Sequence, residues 1–402
     1  MQAEGGGPGS LRIRNRRRVI GQLRARGVAS QADIARRTGL SRATVSSIVS
    51  ELRAEGMLVA ADGAGGAQAG SGRPAVLLSL HESAGLVVGI DLGHTHVRTA
   101  VSTLAHDILA ESYLEMPVDD EASGPLETAA RLVRELFQQA GVERSSVIGV
   151  GLGLPGPVDR ARGVVGSTSI LPGWVGVRAV DELEARLGLP VEIDNDANLG
   201  ALAEATWGAA SGCSEVVYIK ISTGIGAGFI LNGRPYRGAS GTAGEIGHTS
   251  VDPAGRFCYC GNRGCLETVA AGPALVDGLR RGNQELTLAE VLLQAAEGDN
   301  ASRRAIAEAG RHIGVAVANL CNLLNPERVV VGGQLSEAGD VLLEPLRESI
   351  RRYAVQAAAE TVQVVPAAFG VRAEVMGALA LALLESNRPL AQAVDASSQG
   401  GA

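Results

Sequence analysis

The 402-residue chain predicts an α/β protein in two lobes, preceded by a small basic module of short helices. Three observations carry this expectation. Residues 1–80 hold twelve arginines and no lysine against five acids (Glu4, Asp33, Glu51, Glu55, Asp62), a net of +7, so the rest must sum to −14 to give the formal total of −7. From Leu86 onward, apolar runs of strand length repeatedly end in glycine loops. Between Gly244 and Glu267, three cysteines and one histidine fall within eighteen residues.

Bulk composition, with 46% hydrophobic and 20% charged residues, is that of a globular chain long enough for two or three cored domains. No run approaches eighteen apolar residues and no charged segment leads an apolar one. Membrane insertion and export are therefore not expected, and the cytoplasm is the expected location. Disorder is expected only at the ends, over 1–10 and 389–402.

The basic module is expected over 11–82. Arg12, Arg14, Arg16, Arg17 and Arg18 lead into a short helix through Val19, Ile20 and Leu23. Ser30 with Asp33 reads as a capping box opening a second helix, broken at Gly39. Ser41 then caps a third, in which Val45, Ile48, Val49 and Leu52 fall at i, i+3, i+4 and i+7, leaving Arg42, Thr44, Ser46 and Ser47 on a polar face. Two helices joined by a tight glycine turn, with short hydrogen-bonding side chains at the start of the second, form a helix-turn-helix able to enter a DNA major groove. A Gly/Ala-rich wing is expected over about 61–73, placing Arg73 in Gly-Arg-Pro within reach of a minor groove. A basic segment on an acidic chain is the charge footprint of phosphate-backbone binding; the alternatives are a solvated cationic face or a protein-binding helix bundle.

In the body, Leu86 to Thr95 reads as a buried strand ending in Asp91, Gly93 and Thr95, a phosphate-facing hairpin. Ser146 to Asp159 is a second strand. Val191 to Asn198 is a third, whose polar end carries Asn195 and Asp196. Asp196 is the candidate general base, a carboxylate placed to take a proton from a sugar hydroxyl that the neighbouring amide fixes; a capped helix start is the alternative. Glu215 to Gly228 supplies a further glycine loop with Thr223, Gly224 and Gly226, and the strand from Val329 ends on Gly332 and Gly333, where an adenosine can lie against backbone. His248, Cys258, Cys260 and Cys265 make a four-donor set suited to a closed structural Zn²⁺, the alternative being a surface disulfide with a spare thiol. Glu245 and Glu267 are held beside that set as acceptors for a polyhydroxylated ligand.

These motifs together resemble the ROK family (repressors, open reading frames, kinases), specifically its repressor branch, and the likeness runs from about Arg12 to about Leu384. It implies a winged helix-turn-helix joined to an actin/hexokinase-like, ribonuclease H-like body over 84–388, with a first lobe over about 84–200, a second over about 201–370 and a closing helix over about 372–386. It further implies zinc on His248, Cys258, Cys260 and Cys265, and sugar contacts from Asn195, Asp196, Glu245, His248 and Glu267. Asp196 matches the family's catalytic base, Asp91 and Thr95 its first phosphate loop, and Thr223 to Gly228 its second. Two positions depart from the kinase pattern: His94 replaces the second glycine of Asp-x-Gly-Gly-Thr, expected to crowd the loop and resist positive φ, and Ser222 stands where kinases often carry glycine. The expected function is thus a sugar-responsive DNA-binding regulator, a homodimer or tetramer acting as a repressor of carbohydrate genes. The alternative is an ATP/Mg²⁺-dependent sugar kinase, alone or as residual activity of the regulator.

Overall fold

The computed structural model describes residues 15–16, 18–23, 27–54, 57–61, 76–81, 85–104, 106–160, 162–165, 170–280 and 285–385. Arg73, nearly all of the expected wing tip and both expected tails lie outside them.

In the N-terminal module, helical backbone through 18–23 is followed by strand β1 (Val28–Ser30), helices Gln31–Thr38 and Arg42–Ala54, and strands β2 (Leu58–Ala60) and β3 (Leu77–Leu80). The strands pair antiparallel in the order β1-β3-β2. Ser30 accepts the Asp33 N–H at 3.1 Å and so caps the first helix, while Gly39, at φ 65°, ends it in the left-handed region that disfavours a Cβ. Ser41 accepts the Thr44 N–H at 3.1 Å and starts the second. Its stripe of Val45, Ile48, Val49 and Leu52 is buried; Arg42, Ser46 and Ser47 are exposed and Thr44 is half-buried.

The body has two five-stranded sheets, ordered β10-β7-β4-β5-β6 and β13-β12-β11-β14-β15. The first comprises β4 (Leu86–Gly93), β5 (His96–Thr103), β6 (Ile108–Glu115), β7 (Val147–Leu154) and β10 (Val191–Asn195), parallel along β10-β7-β4 and antiparallel along β4-β5-β6. The second comprises β11 (Val216–Ile221), β12 (Ile225–Leu231), β13 (Arg234–Tyr236), β14 (Arg328–Gly332) and β15 (Gln363–Pro366), with β11-β14-β15 parallel and β13-β12-β11 antiparallel. A small hairpin, β8 (Val158–Asp159) with β9 (Val164–Val165), lies beside the first sheet.

Helices Asp196–Thr206 and Ala373–Glu385 pack against each other, the first chiefly on β11 and β12 of the second sheet and the last on strands of the first sheet. Both are rich in Ala, Gly and Leu on every face, which is what a helix buried all round requires. The closeness is set by glycines: a Cβ on Gly377 would lie 2.0 Å from the Leu199 carbonyl oxygen, and one on Gly151 of β7 would lie 2.0 Å from that of Ala378. Because those neighbours are backbone, Gly377→Ala is expected to cost about 1–3 kcal/mol or more, seen as a lower denaturant midpoint with an unchanged slope. A buried cluster is shared by the final helix, the first sheet and the N-terminal module. Val375, Met376, Leu379 and Leu383 belong to one contiguous buried cluster with Leu23, Ile34, Val45, Leu52 and Leu78.

Candidate functional site

The Cys/His loop is shaped before any ion is considered. Bridges Ser250 to Cys265 and Phe257 to Arg263 hold it, and Gly264, at φ 65°, passes so close to Asp252 that a Cβ would fall 1.5 Å from its carbonyl oxygen. Cys260 Sγ and Cys265 Sγ stand 3.7 Å apart, and Cys258 Sγ stands 3.7 Å from His248 Nδ1. All four ligand atoms lie within 4.8 Å of one another. A tetrahedron with metal–sulfur bonds of about 2.3 Å has edges of about 3.8 Å, so the spacing fits a metal centre, whereas a disulfide needs about 2.05 Å. All five cysteines are free thiols; Cys321 is buried and Cys213 half-buried. Burial and the neighbouring sulfurs push Cys265 up to about 12, and burial raises Cys258 too. A divalent cation supplies the positive charge that three adjacent thiolates require.

His248 presents its two ring nitrogens to two environments. Nδ1 faces the thiols, while Nε2 stands 3.4 Å from the Tyr259 hydroxyl and 3.7 Å from Glu245 Oε2. That second side belongs to a cavity between the lobes lined by Asn195, Asp196, Glu245, His248 and Glu267, with Lys220 and Tyr259. Residues from five separate chain segments thus meet around one space. Glu267, at the start of a single-turn helix and buried, accepts the Ile225 N–H at 3.0 Å, which fixes one oxygen. Burial, reinforced by the charges of Asp196 and Glu267, raises Glu245 to about 7.

Asn195 and Asp196 combine both roles weighed from sequence. Asn195 caps the helix Asp196–Thr206, its Oδ1 accepting the Ala197 and Asn198 N–H groups, and its amide donates to the Gly156 carbonyl at 2.8 Å. Asp196 Oδ1 accepts the Ala197 N–H at 2.7 Å, and its Oδ2 accepts from Lys220 Nζ at 2.7 Å. The buried carboxylate of Asp194 instead faces Arg237 at 2.6 Å.

A second cavity, of about 330 Å³, shares Asp196, Lys220, His94, Ser222 and Thr223 with the first and adds Gly93, Thr95, Gly333 and Glu374. Of the proposed phosphate residues, Gly93, Thr95, Thr223 and Gly333 line it, and Asp91, Gly224, Gly226 and Gly332 do not. Gly332 lies in neither lining; its missing Cβ makes room for the buried Tyr218 hydroxyl, 2.3 Å from where that Cβ would be. Gly333, at φ 78°, has its Cβ position 2.4 Å from the Ile221 carbonyl. Gly332 thus serves the protein's own packing, whereas Gly333 packs on Ile221 and also lines the cavity. Gly224 and Gly226 line the first cavity, and Gly224 makes room for Glu267 Oε2. Asp91 is buried, with Oδ2 bonded to His96 Nε2 at 3.0 Å. His94 is not among the non-glycine residues with positive φ, in keeping with a residue that resists that conformation; its ring turns to Asp119, 2.8 Å away, while lining both cavities.

Sequence reasoning missed Lys220, His96, Tyr259 and Glu374. One signal was available for Lys220: it is the only lysine in the chain.

Among the described residues no helix is long and apolar enough to cross a membrane. Residues 14–59 match the winged helix-turn-helix DNA-binding family, and residues 87–385 match the ROK family. A xylose repressor of Caldicellulosiruptor bescii is 31% identical over 370 residues, spanning 89% of this chain and 92% of its own. A glucokinase of Halalkalibacterium halodurans is 34% identical over 308 residues, spanning 72% of this chain and 92% of its own. Among solved structures, a ROK family transcriptional regulator described as a homolog of the E. coli MLC protein superposes with a TM-score of 0.76 at 27% identity, over 96% of this chain and 99% of that one. The chain, with a two-lobed α/β body of hexokinase-like kinship behind a winged helix-turn-helix, belongs to the ROK family.

Proposed function

We propose that the protein is a sugar-responsive DNA-binding transcriptional regulator, acting as a repressor of carbohydrate genes in the cytoplasm. The observation that carries this reading is the continuity of the molecule. The cleft residue Asp196 reaches through Lys220 to Glu374, the second residue of the final helix, and that helix shares its buried cluster with the helix-turn-helix. A neutral monosaccharide binds through Asn195, Asp196, Glu245, His248 and Glu267. Zn²⁺ on His248, Cys258, Cys260 and Cys265 fixes the wall that carries two of these acceptors, a structural role with no chemistry asked of the ion. Closure of the lobes on the sugar shifts the final helix and, with it, the paired DNA-reading units of a homo-oligomer, dimer or tetramer; half-site spacing tolerates little displacement. Arg42, Thr44, Ser46 and Ser47 face the major groove, and Arg73 completes the contact from the wing. The xylose repressor at 31% identity over most of both chains supports the same role.

The test is salt-dependent binding of the full chain to duplex DNA, with affinity falling by orders of magnitude between about 50 and 200 mM salt. Arg42→Glu with Ser46→Glu is expected to abolish binding while leaving thermal unfolding unchanged, since both side chains are exposed. Failure of the wild type to bind any duplex from a random pool overturns the reading.

A second reading, an ATP-dependent sugar kinase, draws on Asp196 and on the 34% identical glucokinase. A coupled assay with ATP, Mg²⁺ and a hexose panel separates the two, turnover of roughly 1–10³ s⁻¹ favouring the kinase.

A further inference from the structure

We propose that Lys220 is a resident cation that sets the specificity of the cleft: its ammonium stands between the sugar cavity and the glycine-loop cavity, where a divalent metal ion and the phosphate it accompanies would otherwise sit. The proposal deepens the sugar-receptor reading and rests on it.

Of the 36 Lys and Arg residues in the chain, this one alone is lysine. It projects from β11, two residues beyond the buried Tyr218, and lines both cavities. Its Nζ lies 2.7 Å from Asp196 Oδ2 and 3.5 Å from Glu374 Oε1. Burial alone would lower its pKa, but the carboxylates of Asp196, Glu374 and Asp91 outweigh burial and hold it well above the usual lysine value. Two carboxylates against one ammonium, with the charge of Asp91 added from farther off, make an acidic oxygen set of the kind that holds a hard divalent cation together with phosphate oxygens. It has capacity left over, since Asp91 Oδ1 has no hydrogen-bond partner among the described residues and Glu374 Oε1 has only the 3.5 Å ion pair with Lys220. A compact ammonium with three donors fits a position between such oxygens, whereas the planar guanidinium used everywhere else in this chain does not.

Two consequences follow. Both oxygens of Asp196 are engaged, Oδ1 by the Ala197 N–H and Oδ2 by Lys220, so taking a proton from a sugar hydroxyl would require one of these donors to be displaced. Hydrogen bonding to a sugar hydroxyl asks for no base, so the pairing suppresses phosphoryl transfer and leaves recognition intact. The passage between the two cavities also already carries a positive charge, so a metal-escorted phosphate meets a cation in the place its own metal needs. The ligand class is therefore a neutral sugar bound without nucleotide or divalent metal.

The test uses the full-length, zinc-loaded protein with Mn²⁺ alone as probe, read by manganese spin resonance and by thermal unfolding. The wild type is expected to leave Mn²⁺ free and to show no shift. Lys220→Ser is expected to bind about one Mn²⁺ per chain and to gain about 2 °C or more in Tm at saturating Mn²⁺, a response removed again by adding Asp196→Asn. Mn²⁺ held by the wild type in an Asp196-dependent manner, or a Lys220→Ser protein indifferent to Mn²⁺, overturns the proposal. Should that variant not fold, calorimetry on the wild type decides: sugar affinity within about 2-fold with and without MgATP is expected, and tightening of 10-fold or more by MgATP overturns it. A wild type that binds no sugar, alongside a Lys220→Ser protein that gains Mn²⁺, upholds the cation assignment and sinks the receptor reading.

Discussion

Replacing Cys265 by Ser is expected to release one zinc ion per chain and to take most of the sugar affinity with it. Cys265 is fully buried, its sulfur is 3.7 Å from that of Cys260, and its backbone bridges to Ser250, so the residue joins the metal set to the loop that follows His248. A serine hydroxyl is a poor zinc ligand, and with three donors left the set no longer closes around the ion. Binding energy at a structural zinc site is also folding energy, so the loop between Gly244 and Glu267 loosens together with the ion. Glu245 and Glu267 sit at the two ends of that loop, and a metal ion on Nδ1 would fix His248 in the orientation in which its Nε2 faces Tyr259 and Glu245. A loss of about 10- to 100-fold in sugar affinity is expected, as for other supports of a metal-held site. Elemental analysis for metal and calorimetry for sugar check it, with Cys260→Ser expected to behave alike; unchanged metal content would show that the ligand assignment is wrong.

Glu267→Gln is expected to weaken sugar binding by about 10-fold or more while leaving the zinc in place, which separates it from the cysteine variants. The wild-type carboxylate is buried, accepts the Ile225 N–H at 3.0 Å and fills the space left by the absent side chain of Gly224. The carboxylate lines the cavity, where it also meets the Tyr259 hydroxyl. Glutamine keeps the shape and one carbonyl acceptor for Ile225 but turns the second acceptor into a donor, and a hydrogen bond to a charged group is worth about 1.5–3 kcal/mol. In the regulator the consequence is unresponsiveness to sugar: operator binding as tight as wild type, with release requiring correspondingly more sugar. Calorimetry and operator-release titrations read the two effects. Full affinity in the variant would place the sugar away from Glu267.

Local signals were the most legible part of the sequence. Ser30, Gly39 and Ser41 act within three or four residues of themselves, so the caps and the stop of the helix-turn-helix appear where spacing put them. The stripe of Val45, Ile48, Val49 and Leu52 is buried for the same reason. The Cys/His set is nearly local too, since eighteen residues with glycines at 261 and 264 leave few ways to place four donors. Contacts made by the fold were not legible. Lys220 meets Asp196 only because β11 lies against the helix that Asp196 begins, and meets Glu374 only because the last helix returns between the lobes. The packing role of Gly332 was likewise illegible, because a glycine that makes room for Tyr218 is, in sequence, the same as one that makes room for a ligand, whereas Gly333 both packs on Ile221 and lines the glycine-loop cavity. His94 was legible in part: its φ is not positive and its ring lines both cavities, whereas its contact with Asp119, twenty-five residues away, is made by the fold.

The claim at the centre of this account is that sugar in the cleft changes the grip on DNA. The direct measurement is fluorescence anisotropy of a duplex selected by the full-length protein, titrated with whichever monosaccharide raises its Tm, at fixed salt and without ATP or added divalent metal. A fall in DNA affinity of about 5- to 150-fold at saturating sugar is predicted, the range usual for coupling between two sites, with sugar affinity reduced by the same factor when DNA is bound. A sugar that binds the cleft and leaves DNA affinity unchanged would contradict it.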